Sequence, residues 1–233
     1  EDPTRDHWGT FCYVRDLASG EFWSNASQPS LRRPEHYEAI FTEGRAEFHR
    51  QDRLDGALIE TRTEMVVSPE DDIELRRIRI INRSRARRAV DFTTYAEVVM
   101  APASADTLHP AFSKLFVQTE ILREKRALLC TRRPRSRDEQ PAWMFHLATV
   151  RGGLPGELSF ETDRATFIGR GRTAANPRAL ATNEPLSGRE GPVLDPIVAI
   201  QPQIVLAPAQ SVTIDVVNGV AATRDVAEHL IDR

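Results

Sequence analysis

Short segments with strand-like patterning recur along nearly the whole chain, and this recurrence constrains the fold more than any other feature. Within 73–80, for example, apolar and charged residues partly alternate, as they do in a strand with one buried face. Turn residues close most segments, and little helical patterning separates them. We therefore predict a mainly β fold with two antiparallel sheets packed as a sandwich. The predicted strands are 10–15, 21–24, 36–42, 45–51, 58–67, 73–80, 90–100, 127–131, 143–150, 158–162, 165–168, 197–206 and 211–217.

The run Asp106–Glu120 departs from this pattern. Its apolar residues Leu108, Phe112 and Leu115 follow one another at spacings of four and three, which indicates a short helix. Pro110 suits the start of that helix because its φ angle is already fixed. We predict a helical excursion between two strands.

Two polar residues of this excursion, His109 and Lys114, are candidate functional residues. Ordered excursions between strands often carry function on a β scaffold. Both side chains can donate hydrogen bonds to sugar hydroxyls or phosphate, and Lys114 is charged. The alternative is a helical plug, in which Phe112 and Phe116 close one end of the sandwich.

The composition excludes some functional classes. The chain of 233 residues carries 31 basic and 34 acidic side chains and a net charge of −3, whereas a general nucleic-acid binder should be clearly basic. No stretch of about 18 apolar residues occurs, so we expect no membrane insertion by this chain. Cys12 and Cys130 lie in apolar strand-like runs and are predicted to be buried free thiols, which fits a cytosolic compartment.

Aromatic residues cluster around the first predicted hairpin, at Trp8, Tyr13, Phe22 and Trp23. Aromatic faces beside hydrogen-bonding groups suit sugar rings, which offer C–H faces and hydroxyl edges. Rings packed into the core are the alternative, which we favour for Tyr13 and Phe22. For Trp23 both interpretations stay open.

Five residues form the predicted substrate-binding set. They are Arg15, Asp16, Trp23, His109 and Lys114. The first three belong to the hairpin and the last two to the helical excursion. No metal site and no cofactor is predicted, because the histidines are scattered without the spacing of a zinc-binding helix.

An acid/base pair is a further hypothesis. Glu97 or His146 facing His109 could exchange protons with a sugar, as an epimerase requires. Nothing in the sequence places these residues together.

Several motifs resemble those of carbohydrate-active enzymes. Tyr13–Asp16, Gly20–Ser24 and Gln28–Pro29 resemble the opening hairpin of the family-94 glycoside phosphorylases, which include cellobiose, chitobiose and 1,2-β-oligoglucan phosphorylases. The downstream motifs 67–77, 95–99, 106–116 and 132–135 resemble the phosphorylase-like region of cyclic β-1,2-glucan synthases. The resemblance covers nearly the whole chain, and its longest motif lies within the helical excursion.

The resemblance implies a domain plan. Residues 1–222 would form a galactose-mutarotase-like β-supersandwich, and 223–233 would begin a linker helix toward an (α/α)6 barrel that this chain lacks. Thr223 is a suitable N-cap for that helix. The family's general acid and phosphate-binding residues belong to the barrel, so no catalytic residue is carried over. The implied role is non-catalytic: the domain supports substrate binding and assembly of the barrel.

The same resemblance implies partners and a location. The partners are a β-glucan or oligosaccharide, the absent barrel and a second copy in a homodimer. The parent synthase would be a large bacterial inner-membrane protein, with this domain on the cytoplasmic side. The alternatives are a stand-alone carbohydrate-binding module, a mutarotase-like aldose epimerase and a purely structural dimerisation domain. Glucan binding would support the first, and anomer interconversion the second.

Overall fold

A computed structural model describes residues 9–54, 56–134 and 136–233. Trp8, which the sequence placed with the first hairpin, lies outside these ranges, as does Arg135 of the last resemblance motif. The described residues form the strands β1 (Thr10–Asp16), β2 (Phe22–Ser24), β3 (His36–Thr42), β4 (Arg45–Leu54), β5 (Ala57–Val67), β6 (Ile73–Asn82), β7 (Arg88–Glu97), β8 (Val117–Leu122), β9 (Ala127–Arg132), β10 (Trp143–Arg151), β11 (Leu154–Asp163), β12 (Gly191–Pro192), β13 (Pro196–Leu206) and β14 (Ser211–Ala221).

The strands build two antiparallel sheets, as predicted. One sheet has the strand order β11-β13-β7-β1-β2, and the other has the order β12-β8-β9-β10-β14-β6-β5-β4-β3. The predicted first hairpin is present, because Tyr13 pairs with Ser24 and Arg15 with Phe22. Apolar side chains from both sheets, among them Phe92 and Ile214, are fully buried in the core between them.

Short helices cover the outer faces of both sheets. The helices are α1 (Ala103–Leu108), α2 (Pro110–Lys114), α3 (Arg164–Ile168) and α4 (Arg224–Asp232), with a 3₁₀ turn at Arg178–Leu180. On the five-stranded sheet, Phe167 of α3 and Leu180 of the 3₁₀ turn pack against Tyr13. On the nine-stranded sheet, Ala227 of α4 packs against Phe145. Both faces of the central strands are therefore buried.

The C-terminal helix begins where the sequence predicted. The Thr223 side chain accepts a hydrogen bond from the Val226 backbone N–H at 3.3 Å, so it is the N-cap of α4. Arg224 anchors the helix to β8 through two hydrogen bonds of 2.7 Å to the carboxylate of Glu120. The assignment of 223–233 to a linker stays a prediction.

Two predicted elements are corrected by the structure. Residues 165–168 lie in α3 and not in a strand, because the Asp163 side chain accepts from the Ala165 backbone N–H at 3.0 Å and caps a helix. The helical excursion ends at Lys114, and 117–122 form β8. Val117, Thr119 and Ile121 alternate inward along β8, a period of two that the sequence already contained.

Candidate functional site

The helical excursion is built from two short helices that meet at His109. Pro110 occupies the first turn of α2, and His109 leaves helical geometry with φ −146° and ψ 67°. A proline disfavours helical geometry in the residue before it, so the break falls at His109. The Ser113 hydroxyl donates to the Ala105 carbonyl at 3.3 Å and joins the two helices.

The apolar side chains of this segment point largely into solvent. Leu108 is 72% exposed, Phe112 56% and Leu115 49%. We call these three residues the α1–α2 surface. A plug would bury them, so the plug interpretation is wrong for Phe112. Phe116 behaves differently, because it is half-buried and its ring meets that of Phe112 edge-on at 5.2 Å.

The two polar residues of the excursion have different environments. The His109 side chain is exposed. Lys114 donates to the carboxylate of Asp195 at 2.7 Å, and Asp195 also lies 3.5 Å from Arg164. Lys114 therefore anchors α2 to the strand connection before β13. No local sequence pattern indicates this pairing, since Lys114 and Asp195 are 81 residues apart.

The two polar residues of the hairpin are buried. Arg15, 4% exposed, donates to the Thr182 carbonyl and to the Asn183 side chain, and it lies 3.8 Å from the carboxylate of Asp91. The adjoining crevice holds about 40 Å³, which suffices for water and not for a sugar ring. Asp16 is fully buried and accepts from the Ser19 backbone and hydroxyl at 2.9 Å. Both side chains fasten loops to β1.

Trp23 belongs to the core between the sheets. Its exposure is 0%, and it packs in the same cluster as Val14 and Ile80. The ring offers no face to a ligand in this fold, which corrects the sugar-stacking interpretation. No described hydrogen bond or ion pair joins Arg15, Asp16 or Trp23 to the excursion.

The hypothetical acid/base pair does not assemble. His146 is fully buried, with Nε2 at 2.7 Å from the Thr94 hydroxyl and Nδ1 at 2.6 Å from the Asn218 side-chain oxygen. Burial lowers the pKa of His146 to about 4. Glu97 instead accepts from the Tyr95 hydroxyl at 3.0 Å. No described hydrogen bond or ion pair joins either residue to the exposed His109.

Across 9–54, 56–134 and 136–233, no cluster of three or more His, Cys, Asp or Glu side chains could hold a metal ion. Cys12 and Cys130 are buried and form no disulfide, as predicted, and burial raises the pKa of Cys12 to about 11. Within the same residues, no helix has the length and apolarity needed to cross a bilayer.

Comparison with known proteins identifies the family of this two-sheet fold. The family described as glycosyl hydrolase 94, supersandwich domain, matches residues 1–233. The chain belongs to this family. It is 34% identical over 232 residues to the cyclic beta-(1,2)-glucan synthase NdvB of Rhizobium meliloti, and 26% identical over 220 residues to the N,N'-diacetylchitobiose phosphorylase of Vibrio furnissii.

This glycosyl hydrolase 94 supersandwich domain is much shorter than those relatives. The match covers 100% of this chain but 8% of the glucan synthase, and 93% of this chain but 26% of the phosphorylase. The family match confirms the predicted supersandwich. A substrate-binding role for Arg15, Asp16, His109 and Lys114 stays a prediction, whereas Trp23 is enclosed in the core.

The exposure of the α1–α2 surface leads to a stability prediction. Phe112→Ala or Leu115→Ala should change the free energy of unfolding of this chain by less than about 1 kcal/mol, because surface substitutions remove little packing. Phe92→Ala, at a position with 0% exposure, should cost about 3–5 kcal/mol. Urea unfolding of the three variants checks this. A loss at Phe112 as large as that at Phe92 would restore the plug interpretation.

Proposed function

We propose that this chain is the non-catalytic supersandwich domain of a cyclic β-1,2-glucan synthase, and that its α1–α2 surface docks on another part of that protein. The observation that carries the proposal is the exposure of Leu108, Phe112 and Leu115 within eight consecutive residues, at the end of α1, in α2 and directly after α2. Exposed contiguous apolar side chains mark interaction surfaces. The partner would be the (α/α)6 barrel of the same polypeptide or of a second copy.

The geometry supports a rigid docking element. The salt bridge from Lys114 to Asp195 and the hydrogen bond from Ser113 to Ala105 hold the two helices in place. A preorganised surface loses less conformational entropy when it binds. The exposed His109 at the start of α2 would then contact sugar hydroxyls at the edge of the barrel's active site. The domain would thereby support substrate binding without carrying out chemistry.

The proposed location follows from the relative and from the resemblance. A cyclic glucan synthase of the length implied by the 8% match contains many further segments. We place this domain on the cytoplasmic side of the bacterial inner membrane, as a part of such a protein. Nucleic acid is not a partner in this proposal.

The test compares this chain alone with the complete polypeptide that contains it. Hydrogen–deuterium exchange over 103–116 should slow in the complete protein, because docking excludes water from the α1–α2 surface. Phe112→Ser with Leu115→Ser should reduce glucan synthesis or phosphorolysis at least about tenfold, since about 1.4 kcal/mol of lost docking energy corresponds to a factor of ten. The melting temperature of this chain should stay nearly unchanged.

A matched control uses another exposed phenylalanine. Phe41 on β3 is 73% exposed and lies on the edge strand of the nine-stranded sheet. Phe41→Ser should leave both exchange and activity as they are. Unchanged exchange over 103–116, together with full activity of the double variant, would refute the docking proposal.

A further inference from the structure

A groove runs beside α1, between the ends of β7, β9, β10 and β14. It has a volume of about 290 Å³ and is lined mainly by aliphatic side chains. Val99 and Val220 are partly open to solvent, at 36% and 43% exposure, and Met144 is partly buried. Arg132 and Glu139 are the charged side chains of the lining.

Arg132 gives this apolar groove an unsatisfied charge. The residue is only 5% exposed, and its guanidinium carbon lies 5.7 Å from the centre of the Phe116 ring. Within the described part of the chain, Nε and Nη2 of Arg132 have no hydrogen-bond partner. Glu139 also lines the groove, yet neither nitrogen bonds to it. A guanidinium stays protonated in proteins, so Nε and Nη2 are buried N–H donors without an acceptor.

The chemistry of the groove selects its occupant. A carboxylate is the best partner for a guanidinium, because the planar fork binds both oxygens at once. The aliphatic walls suit apolar side chains next to that carboxylate. A sugar is less suited, since the groove has no aromatic lining and sugar hydroxyls carry no charge.

We propose that this groove binds a protein segment that presents a carboxylate side chain to Arg132 and apolar side chains to Val99, Met144 and Val220. The proposal rests on the proposed function and names the chemistry of the docked partner. The groove continues the α1–α2 surface, because Phe112 contacts Phe116 and Phe116 contacts Arg132. An acidic segment of the complete polypeptide would therefore cover both surfaces together.

The test uses two blocked tripeptides added to the isotope-labelled chain. One has glutamate between two leucines, and its twin has glutamine in place of glutamate. The glutamate peptide should shift the Nε–H resonance of Arg132 and bind about tenfold or more tightly than the twin, as expected for a charged hydrogen-bonding partner. Equal binding of the twins, or an unmoved Arg132 resonance, would overturn the proposal.

Two variants separate a binding role from a structural one. Arg132→Met should abolish the preference for glutamate and keep or raise the melting temperature, because it removes an unpaired buried charge. Arg133→Met, at the exposed neighbouring position, should leave the preference intact. A clear fall in melting temperature for Arg132→Met would show a structural partner and overturn the proposal. If Arg132→Met fails to fold, Val220→Glu is the second variant. It keeps Arg132 and should prevent binding of the glutamate peptide. Unchanged binding of the peptide to Val220→Glu would exclude this groove.

The outcomes also distinguish this inference from the proposed function. Sodium hexanoate is the small-molecule probe. If hexanoate binds and the glutamate peptide does not, the ligand is a carboxylate metabolite and the proposal of a protein segment is overturned. Slowed exchange over 103–116 in the complete protein, with no glutamate preference, would retain the docking function and reject only this inference. Glutamate preference without slowed exchange would reject docking through the α1–α2 surface.

Discussion

Replacing Arg50 with methionine is expected to lower the free energy of unfolding by about 3–5 kcal/mol, because it leaves a buried carboxylate without its partner. Arg50 and Asp52 have side chains that are 0% and 1% exposed, and they bond through Nε at 2.7 Å and Nη2 at 2.8 Å. Burial raises the pKa of Asp52, although the bonds from Arg50 act in the opposite direction. The guanidinium also donates to the Arg32 carbonyl at 2.8 Å and holds the loop before β3.

Urea unfolding measures this loss, and two further variants interpret it. Arg50→Met combined with Asp52→Leu should recover part of the stability, since no unpaired charge remains. Arg53→Met is the matched control: its guanidinium is 53% exposed and bonds to Glu35 at 2.9 Å. Exposed ion pairs contribute little to stability, so this control should change little. Equal losses for Arg50→Met and Arg53→Met would contradict the argument from burial.

Acidification is expected to destabilise the chain through His146. Its Nδ1 faces the Asn218 oxygen, so the proton resides there and Nε2 accepts from Thr94. The pKa is about 4 in the folded chain and 6.5 in the reference state. The unfolded chain thus binds the proton first, and stability present above pH 6.5 is lost as the pH falls toward 4. The loss reaches about 3 kcal/mol, at 1.36 kcal/mol per pH unit.

The comparison with His146→Gln isolates this effect. Burial raises the pKa of Asp52 and of Asp91, so those two carboxyls act with the opposite sign as the pH falls. Arg76 and Glu74 also face the histidine, and both stay in the variant. Between pH 6.5 and pH 4, the free energy of unfolding of the parent chain should show a loss that His146→Gln lacks. His109→Gln, at an exposed position, should keep the full loss. Parallel profiles for parent and His146→Gln would refute the assignment.

The sequence by itself determined the class of fold and several local elements. Strand periodicity predicted two antiparallel sheets, and the hairpin of β1 and β2 followed from its glycine-containing turn. Thr223 predicted the start of α4 because a side-chain cap is a local hydrogen bond. The motifs quoted in the sequence analysis indicated the family. The strand patterning, the hairpin turn and the helix cap each depend on residues that are close along the chain.

Only the tertiary structure decided which faces are buried. The six residues after Thr10 in β1 could not be assigned to a face from periodicity, because all six are buried: α3 and the 3₁₀ turn cover the outer side of that strand. Trp23 and Arg15 were candidate ligand contacts, and the structure places Trp23 in the core and Arg15 against Thr182 and Asn183. Conversely, Phe112 had the helical spacing of a buried residue and is 56% exposed. Lys114 pairs with Asp195, which is 81 residues away along the chain. Spacing along the chain sets a local conformation, whereas burial and pairing depend on what the rest of the fold brings to each face.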